Sequence, residues 1–317
     1  MTALHWHRPL MLLAIAMAIL VFVSLGGMIV DDRVLTGMPI WAKAAKFALS
    51  VLIYAVTWSW LIAQLTRWHR VAWWAGTVAA AGLGLELVVI VTQIVRGTNS
   101  HFNFTTPLDT ALWETMGLSI IAVWVATLIV SLALFRNPTP DPARNAAIRY
   151  GAILSLIGAA LGMLMVLPTQ DQRATESAIR GAHTVGLADG GPGLPILGWS
   201  TARGDLRIPH FFGMHAVQLL PLVVIAVELA ARRLPALRSA ALRAALIVVA
   251  AATYAALLAV LTWQALRGQS IVHPDGATLT AIGAIALGAI GSTIVLVQRP
   301  WPDPTVPVRR TRIGATR

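Results

Sequence analysis

Residues 9–30 read PLMLLAIAMAILVFVSLGGMIV, a run of 22 residues that contains no charged side chain. About 20 such residues form a helix long enough to cross the roughly 30 Å of hydrocarbon in a bilayer. The run is longer than the core of a typical signal peptide, and it lacks a convincing small-x-small cleavage site. We therefore interpret it as a membrane anchor that the mature chain retains.

Apolar runs of this kind recur along the whole chain. Of its 317 residues, 57% are hydrophobic and only 12% are charged, and the mean hydropathy is +0.73. Soluble domains carry about 25% charged residues, and the alternating segments of a membrane barrel are absent. The sequence predicts an all-α fold, a polytopic membrane helical bundle of about eight transmembrane helices, as a single domain over residues 1–298. The predicted spans are 9–30, 40–65, 71–95, 111–135, 148–167, 210–231, 242–266 and 277–298.

The positive charges are distributed unevenly between the two sides of these spans. With the N-terminus in the cytoplasm, fifteen of the 24 Lys and Arg residues fall on the cytoplasmic side, where positive charge is favoured. This predicts a multi-pass protein of the bacterial cytoplasmic (inner) membrane with both termini cytoplasmic. The net charge of +11 is then explained by topology and by membrane lipid as a partner, without nucleic acid. The basic, proline-rich tail 299–317 is predicted to be disordered.

One external connection, residues 168–209, is far longer than any cytoplasmic loop. A long connection without strong periodicity is usually functional or disordered, and we predict a lid packed over the bundle. It ends in residues 204–218, which read GDLRIPHFFGMHAVQ and carry two histidines into a hydrophobic run. Elsewhere, the small residues Gly158 and Gly162, and Gly283, Gly288 and Gly291, predict surfaces for close helix contact.

Polar side chains within the spans concentrate on the external side of the predicted topology. Ionisable groups in hydrocarbon are costly, so they indicate a partner or a watery cavity. We predict a pocket that opens to the external side. The side chains assigned to it are Lys43, Lys46, Glu86, Gln93, Arg96, His101, Glu114, His210, His215 and Gln218.

These residues are assigned three kinds of role. The predicted catalytic residues are Glu86, Glu114 and His215. The residues predicted to bind a cofactor or ligand are Lys46, Gln93, Arg96 and Gln218. Imidazole is a common metal and haem ligand, so the predicted metal ligands are His101, His210 and His215.

The spacing of the histidines restricts how they act. His210 and His215 are five residues apart, about 140° around an ideal helix, so one helix does not present both as a chelate. A second helix or the His101 loop would have to complete a metal site, whereas His215 and Gln218 share a helix face. The cofactor is left open between a transition metal and haem. Because the chain has no cysteine and no phosphate-binding loop, nothing indicates an iron–sulfur cluster, a nucleotide or a flavin.

Each of these side chains also has a structural interpretation. Lys43 and Lys46 can extend to the interface, and Glu86 can serve as a structural ion pair or a protonated, hydrogen-bonded acid. Glu114 can complement the positive end of its helix, and His215 can be a hydrogen-bonded packing residue.

Two segments resemble a known group of proteins. Residues 98–109, reading TNSHFNFTTPLD, and residues 204–215, reading GDLRIPHFFGMH, are similar to segments of uncharacterised bacterial multi-pass membrane proteins. The resemblance implies an integral membrane protein over most of the membrane domain and supplies no catalytic residues.

The functional prediction is an outward-facing, histidine-containing pocket for metal- or haem-assisted chemistry on a small or lipid-like molecule. One alternative is a proton-coupled transporter in which Glu86, Lys43 and Lys46 form an ion path. The other alternative is a non-catalytic accessory or sensor subunit of a membrane complex, for which the protein partners are unknown.

Overall fold

The computed structural model describes residues 6–301, so most of the basic tail lies outside the described residues. The long helices are α1 (Arg8–Val30), α2 (Ala42–Ala63), α3 (His69–Arg96), α4 (Pro107–Phe135), α5 (Pro142–Leu161), α10 (Ala240–Leu266) and α11 (Gly276–Gln298). The shorter elements are α6 (Met163–Val166), α7 (Gln170–Ala174), α8 (Arg207–Met214), α9 (Ala216–Ala230) and a 3-10 turn at Pro235–Arg238. Strands β1 (Val34–Leu35) and β2 (Met38–Pro39) form a small antiparallel hairpin.

Within the described part of the chain, seven helical segments are long and apolar enough to cross a membrane. The α8–α9 pair is bent by 47° and makes an eighth if it counts as one span. Each predicted span therefore corresponds to helical structure, and the chain is mostly helical as predicted. The largest shift in a boundary is at α5, which begins at Pro142 because Asp141 caps it by accepting hydrogen bonds from the backbone N–H groups of Ala143 and Arg144.

The connections between the helices gather at two ends of the bundle. Residues 31–41, 97–106, 167–206 and 267–275 form the long-loop end, where the Phe104 N–H donates to the Ala178 carbonyl at 2.8 Å. Residues 64–68, 136–141 and 231–239 form the short-loop end, where Arg243 pairs with Asp141 at 2.7 Å. Every connection is thus fixed to one end of a shared bundle.

The hydrophobic core has two main parts. One lies among α1, α2, α3 and α4, and the other lies among α5, α8, α9 and α10. Ile148 and Ala152 of α5 and Val217 of α9 pack into the first part, so the two groups of helices meet along a seam where α5 faces α4 and α9 faces α2. A small third cluster at the long-loop end contains Phe102, Met165, Leu206 and Ala265.

The break between α8 and α9 is built into the packing around it. Pro221 lies within α9, so its missing N–H removes the hydrogen bond to the Val217 carbonyl and does not account for the break at His215. The carbonyls exposed by the bend still have partners, because Ser155 donates to the Met214 carbonyl at 2.8 Å and Tyr254 donates to the Phe212 carbonyl. Side chains of α5 and α10 therefore satisfy backbone groups that a straight helix would satisfy itself.

The predicted small-residue surfaces have different outcomes. A Cβ added at Gly158 would lie 2.2 Å from the Gly213 carbonyl carbon, so this glycine does permit close contact between α5 and α8. By contrast, a Cβ at Gly283, Gly288 or Gly291 would meet nothing within 4 Å among the described residues. Among the described residues, the prediction of a close helix contact is wrong for these three positions.

Candidate functional site

The centre of the candidate site is His101, in the loop between α3 and α4. Gly97 ends α3 in the left-handed conformation, with φ at 73°, and turns the chain back over the helix. The Nδ1 atom of His101 then lies 3.1 Å from Nζ of Lys43 in the first turn of α2. On the other side of the ring, Nε2 lies 3.5 Å from Oε1 of Glu86 on α3. Three predicted site residues are thus in one line.

The contact with Lys43 fixes the tautomer of His101. A charged lysine ammonium carries only donors, so Lys43 donates to Nδ1, and the hydroxyl of Ser100 also reaches Nδ1 at 3.2 Å. The ring proton of a neutral imidazole is then on Nε2, which faces the Glu86 carboxyl group. Burial, together with the neighbouring Lys43 charge, holds the pKa of His101 well below its ordinary value of 6.5. The imidazole is therefore neutral at pH 7.

The surroundings of this line are apolar. Phe47, Phe102 and Trp113 lie around the imidazole, with ring centroids 5.5, 5.9 and 5.5 Å from it. The Glu86 side chain is only 3% exposed, and its Oε2 atom has no hydrogen-bond partner among the described residues. An acid with an unsatisfied oxygen in such a position is uncommon, because buried polar groups are almost always hydrogen-bonded.

Gln93 and Arg96, predicted to bind a cofactor, belong to a different cluster. Both donate to Oδ1 of the buried Asp109, at 2.8 and 2.6 Å, and Thr106 donates to its other oxygen at 2.6 Å. This network connects the end of α3 to the start of α4 and so holds the His101 loop in place. The structure supports a positioning role for the two residues, and their contact with a ligand stays a prediction.

The three histidines predicted as metal ligands face different partners. His210 Nδ1 lies 2.8 Å from the Gly158 carbonyl of α5, whereas His215 Nε2 lies 3.4 Å from the Ser50 hydroxyl of α2. Because α8 ends at Met214, His215 sits at the break, and the ideal-helix angle to His210 does not apply there. The prediction that His210 and His215 point in different directions nevertheless agrees with their contacts, which lie on α5 and α2.

No metal-binding group is formed by these side chains. Within residues 6–301 there is no cluster of three or more His, Asp or Glu side chains placed to hold a metal ion. The geometry therefore does not support the predicted site of His101, His210 and His215. The Gln218 side chain, predicted to share a helix face with His215 and to bind a cofactor or ligand, has a buried Oε1 atom with no hydrogen-bond partner in the described chain.

Glu114, predicted as catalytic, lies away from the His101 line. Its side chain is exposed and makes no ion pair or hydrogen bond with any described residue. The preceding residue, Trp113, packs against His101 instead. Successive residues on a helix point about 100° apart, so the α4 face toward the site carries Trp113.

Comparison with known proteins adds no assignment. No known family, curated protein or solved structure matches the chain. The resemblance to bacterial multi-pass membrane proteins stays a prediction, and function has to be argued from the residues themselves.

The long loop contributes a second histidine that the sequence analysis did not single out. His183 Nδ1 lies 2.6 Å from Oδ2 of Asp189, which also accepts the backbone N–H groups of His183 and Thr184. Burial lowers the pKa of His183, and the hydrogen bond to Asp189 opposes that shift only in part. Its ring lies 5.2 Å from that of Phe102, beside His101. The six-residue spacing of His183 and Asp189 is the one local signal that could have indicated this pair.

The long loop is also anchored to the bundle by charged groups. Lys46 donates to the Leu197 carbonyl at 2.7 Å, and Arg207 donates to the Gly198 carbonyl at 2.5 Å. Arg207 also pairs with Asp205, whose side chain is fully buried. The loop therefore packs over the seam, and the prediction that it packs on the bundle agrees with these contacts.

Proposed function

We propose that the chain is an integral protein of the bacterial cytoplasmic membrane, with eight spans, both termini inside and the long-loop end outside. Counting α8 and α9 as one bent span supports a total of eight spans, and an even number of spans places both termini on the same side. The excess of Arg in the short loops, including Arg67, Arg70, Arg232 and Arg233, supports the orientation. Membrane lipid is then its immediate partner, and the tail 299–317 is a basic cytoplasmic extension of the membrane domain.

Within this frame, the protein carries out acid–base chemistry on a small or lipid-like molecule at the outer end of the bundle. The observation that carries the proposal is the line from Lys43 through His101 to Glu86, with distances of 3.1 and 3.5 Å. A donor, an imidazole and a buried carboxyl group in series provide a path for one proton. General acid–base groups of this kind typically contribute about 10²–10⁴ to a rate.

The transfer conserves the proton count. Lys43 gives a proton to Nδ1 of His101 while the Nε2 proton passes to the Glu86 carboxylate, which leaves a neutral amine, a neutral imidazole and a carboxylic acid. The neutral Lys43 amine is then a base toward a bound molecule. The apolar side chains of Phe47, Phe102 and Trp113 surround the imidazole and reduce exchange of these protons with water.

A metal or haem is not needed for this step. The separate orientations of His101, His210 and His215 favour acid–base chemistry over the metal-assisted alternative. Each imidazole has its own protein partner, whereas a shared metal would require their nitrogens to converge.

The proposal is tested in cells by lipid mass spectrometry. We expect a strain with His101→Asn or Glu86→Gln to accumulate a molecule that the wild-type strain converts. The matched control is His273→Asn, which removes an exposed histidine from the same end of the bundle. Identical lipid and metabolite profiles in the wild-type strain and in both site variants, at equal protein levels, would contradict the proposal.

A proton-coupled transporter is the second candidate, and one specific observation favours it. Ser50, Tyr54 and Trp58 are each four residues apart on α2 and so form a stripe toward the short-loop end. Tyr54 is hydrogen-bonded to Thr127 at 2.7 Å, and the buried Nε1 of Trp58 has no partner among the described residues. Waters at such groups would extend a proton path from the site.

Proteoliposomes that contain a pH-sensitive dye distinguish the two candidates. The transporter predicts a proton flux under an imposed membrane potential that Glu86→Gln abolishes and Tyr54→Phe reduces. The acid–base site alone predicts no flux in the wild type. Glu228→Gln is the control, because that residue pairs with Arg144 at the other end of the bundle.

A further inference from the structure

The long-loop end contains two half-buried lysines without a carboxylate partner, whereas Arg207, a half-buried arginine at the same end, has one. Arg33, Arg96, Arg207 and Arg267 each pair with an aspartate at 2.5–2.7 Å. In the described chain, neither Lys43 nor Lys46 has a carboxylate oxygen within 4 Å. Arg173, Arg180 and Arg203 also lack one, but those side chains are exposed to solvent.

Water cannot fully solvate the two lysines, because both are half-buried. A charge taken out of water is destabilising unless a counter-charge or several hydrogen bonds replace the lost hydration. Each ammonium group has three N–H donors, and each uses one of them here, toward His101 Nδ1 and the Leu197 carbonyl. Two donors on each lysine remain for a ligand.

The lysines are three residues apart, so they share one face of α2, and Ser50 continues this face one turn beyond Lys46. The hydroxyl of Ser50 contacts His215 at 3.4 Å, which adds two further groups able to donate hydrogen bonds. Cations and donors are thus collected along one face, at the seam between the two groups of helices.

The rim of this face is apolar. Phe211 is 40% exposed, and its ring packs against His215 at 4.4 Å and against Trp199 at 5.8 Å. Leu219, one turn further along α9, is 44% exposed. An apolar rim beside half-buried cations suits a molecule that has both an anionic group and a hydrocarbon part.

We propose that Lys43 and Lys46, with Ser50 and His215 beneath them, bind an anionic oxygen group, either a phosphate or a carboxylate, carried on an amphiphile. This inference rests on the proposed function, because it names the class of molecule on which the acid–base line acts. Charge-assisted hydrogen bonds from two ammonium groups provide the recognition. Lys43 belongs both to this anion site and to the line from Lys43 through His101 to Glu86. It would therefore place the anionic group next to His101.

Thermal unfolding of the full-length protein in a neutral maltoside detergent tests the binding. The probes are dodecyl phosphate, inorganic phosphate and dodecyltrimethylammonium. We expect dodecyl phosphate to raise the melting temperature saturably, because a ligand that binds only the folded state stabilises it. Lys46→Gln should weaken binding by roughly tenfold or more, since a charge-assisted bond is lost. Lys46→Arg should retain it.

Arg180→Gln is the matched control, because it removes one positive charge from an exposed position at the same end. An equal response to inorganic phosphate would assign recognition to the anion alone, and a response to dodecyl phosphate only would assign it to the amphiphile. The proposal is overturned if dodecyl phosphate gives no saturable shift, or if Lys46→Gln and Arg180→Gln respond alike.

A second measurement does not depend on the folding of a variant. Quenching of the intrinsic Trp fluorescence of the wild-type protein should saturate with dodecyl phosphate and not with dodecyltrimethylammonium, and equal quenching by both would overturn the proposal. Lys46 is not part of the line from Lys43 through His101 to Glu86. The binding test on Lys46→Gln and the lipid-profile test on His101→Asn and Glu86→Gln can therefore fail independently.

Discussion

Nε2 of His101 lies 3.5 Å from Oε1 of Glu86, so an imidazole from a loop faces an acid that is buried within a helical bundle. The relationship depends on the cluster of Asp109, Gln93 and Arg96, which fixes both ends of the loop. A structural network at the end of α3 thereby places an imidazole over the middle of that helix.

The tautomer of His101 is the first prediction. NMR of protein labelled with ¹⁵N-histidine, in nanodiscs at neutral pH, should show His101 with its proton on Nε2, because Lys43 donates to Nδ1. Lys43→Met removes that donor, so the variant should show a mixture of both tautomers. A wild-type signal with the proton on Nδ1 would contradict the proposed direction of proton transfer.

The second prediction concerns pH. Burial, more than neighbouring charge, lowers the pKa of both His101 and His183 in the folded protein below the ordinary value of 6.5. Between the lowered pKa of the folded state and the ordinary pKa of 6.5, the unfolded chain binds more protons than the folded chain. Stability therefore rises with pH across this range. Stability should be complete above about pH 6.5 and should fall as the pH drops below it.

Melting temperatures at about pH 8 and about pH 5 measure this effect. His101→Asn should reduce the difference between the two, since that variant has no imidazole to protonate at this position. His273→Asn, which alters an exposed histidine, should leave the difference unchanged. A pH dependence equal to the wild type in His101→Asn would assign the effect to other groups.

The third prediction concerns the anchor of the long loop. Asp205 is fully buried, pairs with Arg207 at 2.5 Å and accepts the Ser200 N–H at 2.8 Å. Asp205→Asn should destabilise the protein by about 2–3 kcal/mol, because Arg207 loses its counter-charge in a partly buried position. Denaturant unfolding in detergent measures the loss. Asp171→Asn, in an exposed part of the same loop, should change stability by less than about 0.5 kcal/mol.

The fourth prediction concerns the contact between α5 and α8. Gly158→Ala should destabilise the protein by about 1–3 kcal/mol, because its Cβ would lie 2.2 Å from the Gly213 backbone. Gly283→Ala makes the same chemical change in α11, where nothing lies within 4 Å of the new atom in the described chain. That control should be neutral or slightly stabilising, as alanine favours helix. Equal losses in both variants would contradict the packing argument.

The helices could be predicted from the sequence, but many of the side-chain contacts between different elements could not. Apolar length identified the spans, since a membrane helix satisfies its own backbone. Helical spacing also placed Lys43 and Lys46 on one face. Contacts that depend on a second element were harder to predict. Trp113 rather than Glu114 faces His101, and Gln93 and Arg96 contact Asp109.

Loop geometry was the least predictable part of the site. Asp189 orients His183 by contacting its ring and by accepting hydrogen bonds from the backbone N–H groups of His183 and Thr184, within a segment that has no strong periodicity. Its position beside Phe102 depends on how residues 167–206 pack on the loop 97–106, and this packing involves residues distant in sequence. Periodicity carries no information of that kind.

The bend at His215 has a mechanical consequence. Ser155 and Tyr254 hold the two exposed carbonyls, so α8 is attached to α5 and α10 and moves with them. The His215 ring contacts Ser50 across the seam, on the other group of helices. Any sliding of one group of helices past the other would change the separation of this pair first. A spin or fluorescent label pair at these two positions would therefore act as a ruler for relative movement of the two halves of the molecule.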